Sequence, residues 1–219
     1  MKSKMSSINP FKHILLPYQW DIFADKHPYK VLNCSRQIGK SLTIAAIAVQ
    51  RALTMPGTLH LIISVNQRSA SELLMKVKQW AEACKMVSDD KIRKAATDYE
   101  ASYDKVKFAN GSRIITLPSG NPSACRGWSA TTLICDEWAI CENDTEIWTA
   151  ISPSMTSKMN GSDKMVILAS TPTSKNTEFA KAYFDNTGFW KRWTITIEDA
   201  VKGGLKADIE ALRRLVNDD

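Results

Sequence analysis

The sequence predicts a three-layer α/β fold, in which a mostly parallel sheet is covered by helices on both faces. From about residue 30 onward, short apolar segments rich in β-branched residues alternate with longer segments of helical character. The short segments are apolar along their whole length, as expected of parallel strands buried on both faces. A hairpin signal interrupts the alternation, so the sheet is also expected to carry a β-hairpin insertion.

The first strand and helix are predicted at Lys30–Cys34 and Lys40–Thr54. The strand candidate is short and follows Pro28, while the helix candidate is rich in Ala, Leu, Ile and Val. The helix should end before Pro56, because proline cannot continue it.

A second strand and helix are predicted at Leu59–Val65 and Gln67–Cys84. The strand is a β-branched apolar run, and the helix carries apolar residues at helical spacing. These residues should form one buried face: Leu73, Leu74, Val77, Trp80, Ala81 and Cys84.

The hairpin and two later strands complete the predicted sheet. Two alternating runs within Val106–Leu117 flank Asn110-Gly111, a strong short-range hairpin signal. Thr131–Cys135 and Lys164–Ser170 are two more candidates for buried strands. Folds of this type bind ligands at the C-terminal ends of their strands. That rule selects three loops, at residues 34–41, 136–138 and 170–176.

Composition bounds the possible functions without choosing one. The chain has 219 residues, 44% of them hydrophobic, and a formal net charge of +6, which suits a polyanionic partner. No apolar run approaches the ~20 residues that a membrane span needs, so no membrane partner is expected. The five cysteines form no C-x-x-C pair, which favours reduced thiols in a cytosol.

The loop between the first strand and helix has the pattern of a phosphate-binding loop. Its sequence is Cys34-Ser35-Arg36-Gln37-Ile38-Gly39-Lys40-Ser41. Gly39 would let the backbone approach phosphate, Lys40 would neutralise phosphate charge, and the Ser41 hydroxyl would ligate Mg²⁺. A chance Gly-Lys-Ser at a helix start is the alternative, which the strand–loop–helix setting disfavours. We therefore predict a P-loop NTPase of the RecA-like (ASCE) type that binds ATP and Mg²⁺.

Two carboxylates follow the next apolar strand candidate. Asp136 would hold Mg²⁺, and Glu137 would orient and polarise the attacking water. The alternative is a strand capped by solvated acids, with Asp136 as a helix N-cap. The upstream phosphate loop favours the catalytic interpretation.

Further candidates contribute weaker signals. Thr171, in Ser170-Thr171-Pro172, would sense the γ-phosphate, although a simple turn is the alternative. Gln19, within Leu16–Trp20, would recognise adenine through its amide, with a surface glutamine as an equal alternative.

Two arginines are candidates for stabilising charge during phosphoryl transfer. Arg36 lies inside the phosphate loop, and Arg126 precedes the acidic strand. Either would act as an arginine finger, within its own chain or from a neighbouring subunit. A solvated or salt-bridged arginine is the alternative for each.

In this order and spacing, the motifs resemble the ATPase domain of terminase large subunits, the packaging motors of tailed phages. The resemblance spans about residues 15–200. It rests on six segments: the S-R-Q-x-G-K-S loop, Asn110-Gly111-Ser112, Arg126-Gly127, Asp136-Glu137, the coupling-motif candidate Ser170-Thr171-Pro172 and the adenine-side segment Leu16–Trp20. It implies an ATPase that drives double-stranded DNA into a procapsid in the host cytoplasm. It also implies a homo-oligomeric ring, usually of five chains, with a portal protein and a small terminase subunit as partners.

The resemblance also implies a domain organisation and roles for the arginines. Residues 1–198 would form the ATPase domain, with 1–29 as an adenine-side lead-in, and 199–219 would begin the connection towards a C-terminal nuclease domain. Arg126 matches the trans-acting finger, and Arg36 matches the phosphate-loop arginine.

Two other functions stay open from the sequence alone. One is half of a superfamily-2-like helicase or translocase, which requires a second RecA-like domain. The other is a nucleotide-binding, DNA-interacting module with little turnover, which the presence of Glu137 disfavours. The tryptophans at 128, 138, 148, 190 and 193 are expected to pack in the core rather than to stack on bases.

Overall fold

The computed structural model describes residues 9–86, 89–156 and 163–216. These residues include an eight-stranded sheet with helices on both faces. The strands are β1 (Tyr29–Cys34), β2 (Leu59–Ser64), β3 (Tyr99–Ala101), β4 (Lys105–Phe108), β5 (Arg113–Pro118), β6 (Thr132–Asp136), β7 (Met165–Ser170) and β8 (Lys191–Ile195).

Helices lie before β1, between strands and after β8. They are α1 (Pro10–Ile14), α2 (Pro17–Ala24), α3 (Lys40–Thr54), α4 (Gln67–Cys84), α5 (Asp90–Thr97), α6 (Asp144–Thr156), α7 (Glu178–Tyr183), α8 (Ile197–Lys202) and α9 (Ile209–Val216). Short 3₁₀ helices lie at Pro122–Cys125 and Trp138–Ile140.

The sheet has the order β3-β4-β5-β2-β6-β7-β1-β8. Six neighbouring strands are parallel to one another: β5, β2, β6, β7, β1 and β8. Strand β7 lies between β1, which leads into the phosphate loop, and β6, which ends in the acidic pair. This is the arrangement of the RecA-like (ASCE) division. The predicted hairpin is confirmed as the antiparallel pair β4–β5, which extends the sheet beyond β2.

Successive residues of the central strands enter opposite cores, as the two-residue period of a strand requires. Leu32 and Ile62 pack with α3 and α4 on one face. Val31 and Leu61 pack with α6 and α7 on the other. The predicted three-layer α/β fold is therefore confirmed.

Two edge strands were not predicted from the sequence. In β8, none of the five side chains is buried. The strand pairs with β1 on one side and forms the edge of the sheet on the other. In β3, only three residues pair with β4. Neither segment has the continuous apolar run that identified the central strands.

The C-terminal part of the described chain packs onto the same core. The predicted boundary between residues 198 and 199 falls inside α8, where Ala200 is fully buried and Leu205 packs against the core. The structural unit thus extends at least to Leu205, while the nuclease domain that the boundary implies stays a prediction.

Candidate nucleotide site

The phosphate loop connects β1 to α3 and has the backbone shape of an anion-binding turn. Gln37 and Gly39 have φ angles of 61° and 80°, in the left-handed region that favours glycine. The Ser35 N–H donates to the Ile195 carbonyl oxygen of β8 at 3.0 Å, which anchors the start of the loop. α3 begins at Lys40, so its free backbone N–H groups open towards the loop.

The carbonyl oxygen of Ile38 accepts two hydrogen bonds from α2. The Tyr18 hydroxyl donates at 2.7 Å, and Gln19 Nε2 donates at 3.0 Å. Gln19 Oε1 accepts from the Leu16 N–H at 2.9 Å, so both ends of this buried amide bond to backbone groups. The Gln19 amide also excludes a side chain at Gly39, since a Cβ there would lie 2.1 Å from Gln19 Nε2.

The structure thus places Gln19 against the phosphate loop. Its predicted contact with adenine stays a prediction. After these two bonds, one Nε2 hydrogen and one Oε1 lone pair are left, and these are the groups that such a contact would use. Burial raises the pKa of the neighbouring Tyr18, which keeps its hydroxyl protonated and able to donate.

The acidic pair meets the phosphate loop across the sheet. Lys40 Nζ lies 2.8 Å from Glu137 Oε1, and the Ser41 hydroxyl donates to Asp136 Oδ2 at 3.0 Å. Glu137 has a φ angle of 54°, a strained conformation for a residue other than glycine. The structure brings together these four predicted site residues.

Asp136 is a buried carboxylate whose ionised form is disfavoured in this structure. Burial raises its pKa to about 6, and the charge of Glu137 contributes in the same direction. Lys40, Ser41 and the Glu137 N–H lower the pKa and offset only part of the shift. A buried carboxylate beside a serine hydroxyl is a pair of hard oxygen donors, the kind that Mg²⁺ prefers. In the described ranges, no group of three or more His, Cys, Asp or Glu side chains forms a metal cage.

The loop after β7 lies beside the acidic pair. Thr171 Oγ1 is buried and has no hydrogen-bond partner within the described part of the chain. The preceding Ser170 Oγ accepts from the Ala139 N–H at 3.0 Å, and the Thr173 hydroxyl donates to the Ala139 carbonyl oxygen at 2.8 Å. The third loop therefore holds the turn that follows Glu137.

A fourth loop, which sequence reasoning missed, completes the site. A cleft of about 250 Å³ is lined by Ser41, Asp136 and Glu137 together with the first turns of α4. The other residues that line it are the N-cap Asn66 and, within α4, Arg68, Ser69, Glu72, Leu73 and Lys76. The rule that selected the other three loops also applies to this one, because it follows the C-terminal end of β2.

The two predicted arginines occupy different places. Arg36 is an exposed residue of the phosphate loop. Arg126 follows the 3₁₀ helix Pro122–Cys125 and lies outside the residues that line the cleft. Its side chain is 65% exposed, and Nη2 lies 3.7 Å from Oε1 of Glu146, whose side chain is 58% exposed, so this ion pair is weak. The structure does not bring Arg126 to the acidic pair of its own chain.

Cys34 stands where P-loops usually have their first glycine. It is buried, and burial raises the pKa of its thiol to about 12, so this residue packs as a small apolar side chain. The expected packing of the tryptophans is confirmed. Trp138 is fully buried, and the other four pack against the two cores.

Together, the fold and this site define the class of the protein. A left-handed glycine turn at a helix N-terminus, a lysine and serine directly after it, and two carboxylates at the end of a nearby parallel strand are the parts of a P-loop NTPase. None of the helices in the described ranges has the length and hydrophobicity to span a membrane.

Comparison with known proteins places the chain within this class. Residues 31–219 match the family of the terminase large subunit, T4likevirus-type, N-terminal. The chain therefore belongs to the terminase large subunit family. Curated protein sequences contain no match.

Solved structures share the fold at low sequence identity. The large terminase ATPase domain of Thermus phage P74-26 superposes with a TM-score of 0.70 at 19% identity, covering 92% of this chain and 88% of that domain. The large terminase of a thermophilic bacteriophage in complex with ADP gives a TM-score of 0.67 at 11% identity, covering 91% of this chain. The large terminase of bacteriophage HK97 gives 0.53 at 16% identity, covering 86% of this chain. The chain spans 50% of the second relative and 37% of the third.

Proposed function

We propose that this domain is the ATPase of a DNA-packaging motor, which hydrolyses ATP to move double-stranded DNA into a procapsid. The observation that carries the proposal is the convergence of Lys40, Ser41, Asp136 and Glu137 at one edge of the sheet. Family membership supports the packaging role, and the nucleotide-bound relatives, one solved with ADP and another with ATP-gamma-S, support the choice of ligand.

Each side chain of the site has a distinct role in this proposal. Lys40 binds the β- and γ-phosphates, with backbone N–H groups from Gly39 onward as further donors. Glu137 orients the attacking water and accepts its proton. Thr171 offers its unpaired hydroxyl to the γ-phosphate or to that water.

Mg²⁺ fits the oxygen donors of Ser41 and Asp136, which would hold it. When bound, it would neutralise phosphate charge. Two features of the structure support this assignment. The Ser41 hydroxyl lies 3.0 Å from Asp136 Oδ2, and the carboxylate of Asp136 is buried, so a cation would stabilise its ionised form.

Arg126 is the finger that a neighbouring chain supplies in this proposal. Its exposure and its position away from the cleft of its own chain suit a residue that acts across a subunit interface. A ring, of five chains as the resemblance implies, would assemble on a portal protein in the host cytoplasm and receive DNA through a small terminase subunit. Arg36 lies within the loop and is the candidate for contact with phosphates in its own chain.

The test is Mg²⁺-dependent ATP hydrolysis, measured against chain concentration for the wild type and Lys40→Ala. The proposal predicts that turnover is lost in Lys40→Ala and retained in the matched exposed-lysine variant Lys26→Ala. It also predicts that the rate per chain rises with concentration, since each site needs a neighbour. Turnover by Lys40→Ala at the wild-type rate would refute the proposal.

A further inference from the structure

The peptide between Ile38 and Gly39 is held by two hydrogen bonds from outside the phosphate loop. Its carbonyl oxygen accepts from the Tyr18 hydroxyl at 2.7 Å and from Gln19 Nε2 at 3.0 Å. Both donors are buried, and both come from α2, which precedes β1. Two buried hydrogen bonds on one oxygen fix the direction of that carbonyl.

The direction of this carbonyl also sets the direction of the next N–H group. A peptide unit is planar, and in a trans peptide the C=O and N–H bonds point to opposite sides. The described residues contain no cis peptide bond. With the Ile38 oxygen turned towards Tyr18 and Gln19, the Gly39 N–H is therefore turned to the opposite side of the peptide. Backbone N–H groups on that side are the donors that cradle phosphate in such loops.

The Tyr18 ring is itself held from the other side by the turn after α8. A Cβ atom on Gly203 would lie 2.7 Å from Tyr18 Cδ1, so the turn packs directly on the ring and leaves no room for a methyl group. The turn is closed by three backbone hydrogen bonds: from Gly203 N–H to Asp199 and from Leu205 N–H to Ala200, both 2.9 Å, and from Gly204 N–H to Val201, 3.0 Å. The ring thus lies between this turn and the loop that its hydroxyl contacts.

We propose that Tyr18 is a positioning residue for nucleotide binding: held by the turn at Gly203, its hydroxyl fixes the Ile38–Gly39 peptide so that the Gly39 N–H faces the phosphates. The proposal rests on the proposed nucleotide site. It adds a residue that does not itself touch nucleotide. It also connects the phosphate loop to the segment that follows α8.

The first test is Tyr18→Phe, which removes the hydroxyl and keeps the ring. Loss of one buried hydrogen bond should raise the KM for ATP and the Kd for ADP by about three- to ten-fold, with kcat changed less than about two-fold. Tyr99→Phe is the matched control, because the Tyr99 hydroxyl also donates to one acceptor, Glu82 Oε1, outside the nucleotide site. A Tyr18→Phe chain with a lower melting temperature but unchanged KM and Kd would overturn the proposal.

The second test asks whether Gly203 acts through Tyr18. Gly203→Ala should displace the ring and raise the Kd for ADP by a similar factor. Gly120→Ala is its control, since a Cβ there meets no atom within 4 Å. In the Tyr18→Phe background the hydrogen bond is already gone, so Gly203→Ala should add nothing further. Additive effects of the two substitutions would refute the connection.

Lys40→Ala, measured in the same titrations, separates this proposal from the one on which it rests. If Lys40→Ala binds ADP as tightly as the wild type, the nucleotide site itself is wrong. If Lys40→Ala loses binding while Tyr18→Phe binds like the wild type, only the role of Tyr18 is refuted.

Discussion

Lys40 Nζ and Glu137 Oε1 lie 2.8 Å apart, so in this structure the lysine of the phosphate loop is paired with the carboxylate assigned to activate water. The Lys40 side chain is only 6% exposed and that of Glu137 is 32% exposed. Phosphate binding by Lys40 would compete with this ion pair. In the proposed mechanism, nucleotide binding would therefore release the Glu137 carboxylate from its ion pair with Lys40.

Glu137→Gln should consequently bind ADP at least as tightly as the wild type. In the variant, Lys40 no longer has to break an ion pair before it binds phosphate. Loss of a partly exposed ion pair should raise the affinity for ADP by about two- to five-fold. Calorimetric titration with ADP measures the effect, with Glu142→Gln as an exposed control of the same chemistry. Weaker binding by Glu137→Gln would show that the ion pair does not oppose nucleotide.

Thr171→Val should lower kcat without lowering stability. The hydroxyl is buried and unpaired, and an isosteric methyl group there removes the cost of burying an unsatisfied polar group. Loss of a contact made only during hydrolysis should reduce kcat by about ten-fold or more, with the KM for ATP nearly unchanged. Thr171→Ser keeps a hydroxyl and should restore most of the rate. A Thr171→Val chain that hydrolyses like the wild type would exclude this role.

Arg126→Ala should be inactive alone and rescued by mixing. An arginine finger contributes about a thousand-fold or more to kcat, so its loss leaves little turnover. Glu137→Gln chains are inactive for a different reason and still carry Arg126. If the finger acts in trans, mixed Glu137→Gln and Arg126→Ala chains should hydrolyse ATP at sites where the two meet. The absence of rescue at any mixing ratio would assign Arg126 to its own chain or to no catalytic role.

His60 should make the domain less stable in mild acid. Burial, and secondarily the charge of Arg51, lower its pKa to about 3, and its ring nitrogens hydrogen-bond to Thr58 and Thr132. Below about pH 6.5, His60 binds a proton in the unfolded chain but stays neutral in the folded chain. The free energy of unfolding therefore falls as pH falls.

For this single group, the free energy of unfolding should decrease by about 2 kcal/mol between pH 7 and pH 5. Urea unfolding at several pH values measures the slope. His60→Asn should be less stable than the wild type, but its stability should lack this dependence on pH. His13→Asn, at an exposed position, should keep the pH dependence of the wild type. An unchanged slope in His60→Asn would disprove the assignment.

The sequence predicted those parts of the fold that local patterns determine. The apolar face of Gln67–Cys84 repeats at the helical period, and every residue assigned to it is buried. The edge strand Lys191–Ile195 escaped prediction because its role depends on pairing with β1, more than 150 residues away in sequence, by the register Lys30↔Lys191.

The sequence could predict that four candidate site residues lie close together, but not the contacts made by the residues around them. Lys40, Ser41, Asp136 and Glu137 lie in motifs at strand ends, where topology alone brings them together. The positions of Tyr18 and Arg68 depend instead on how α2 and α4 pack, which no local motif encodes. The Gln19 amide likewise contacts a backbone carbonyl whose position only the folded loop determines.

The most direct test of the account is Mg²⁺-dependent ATP hydrolysis by Glu137→Gln and Glu142→Gln, measured at a chain concentration where the wild-type rate per chain no longer rises. Removal of a general base should lower kcat by about 100-fold or more in Glu137→Gln, whereas Glu142→Gln should stay within about two-fold of the wild type. Equal turnover by Glu137→Gln and the wild type would contradict the assignment of this site as the ATPase centre.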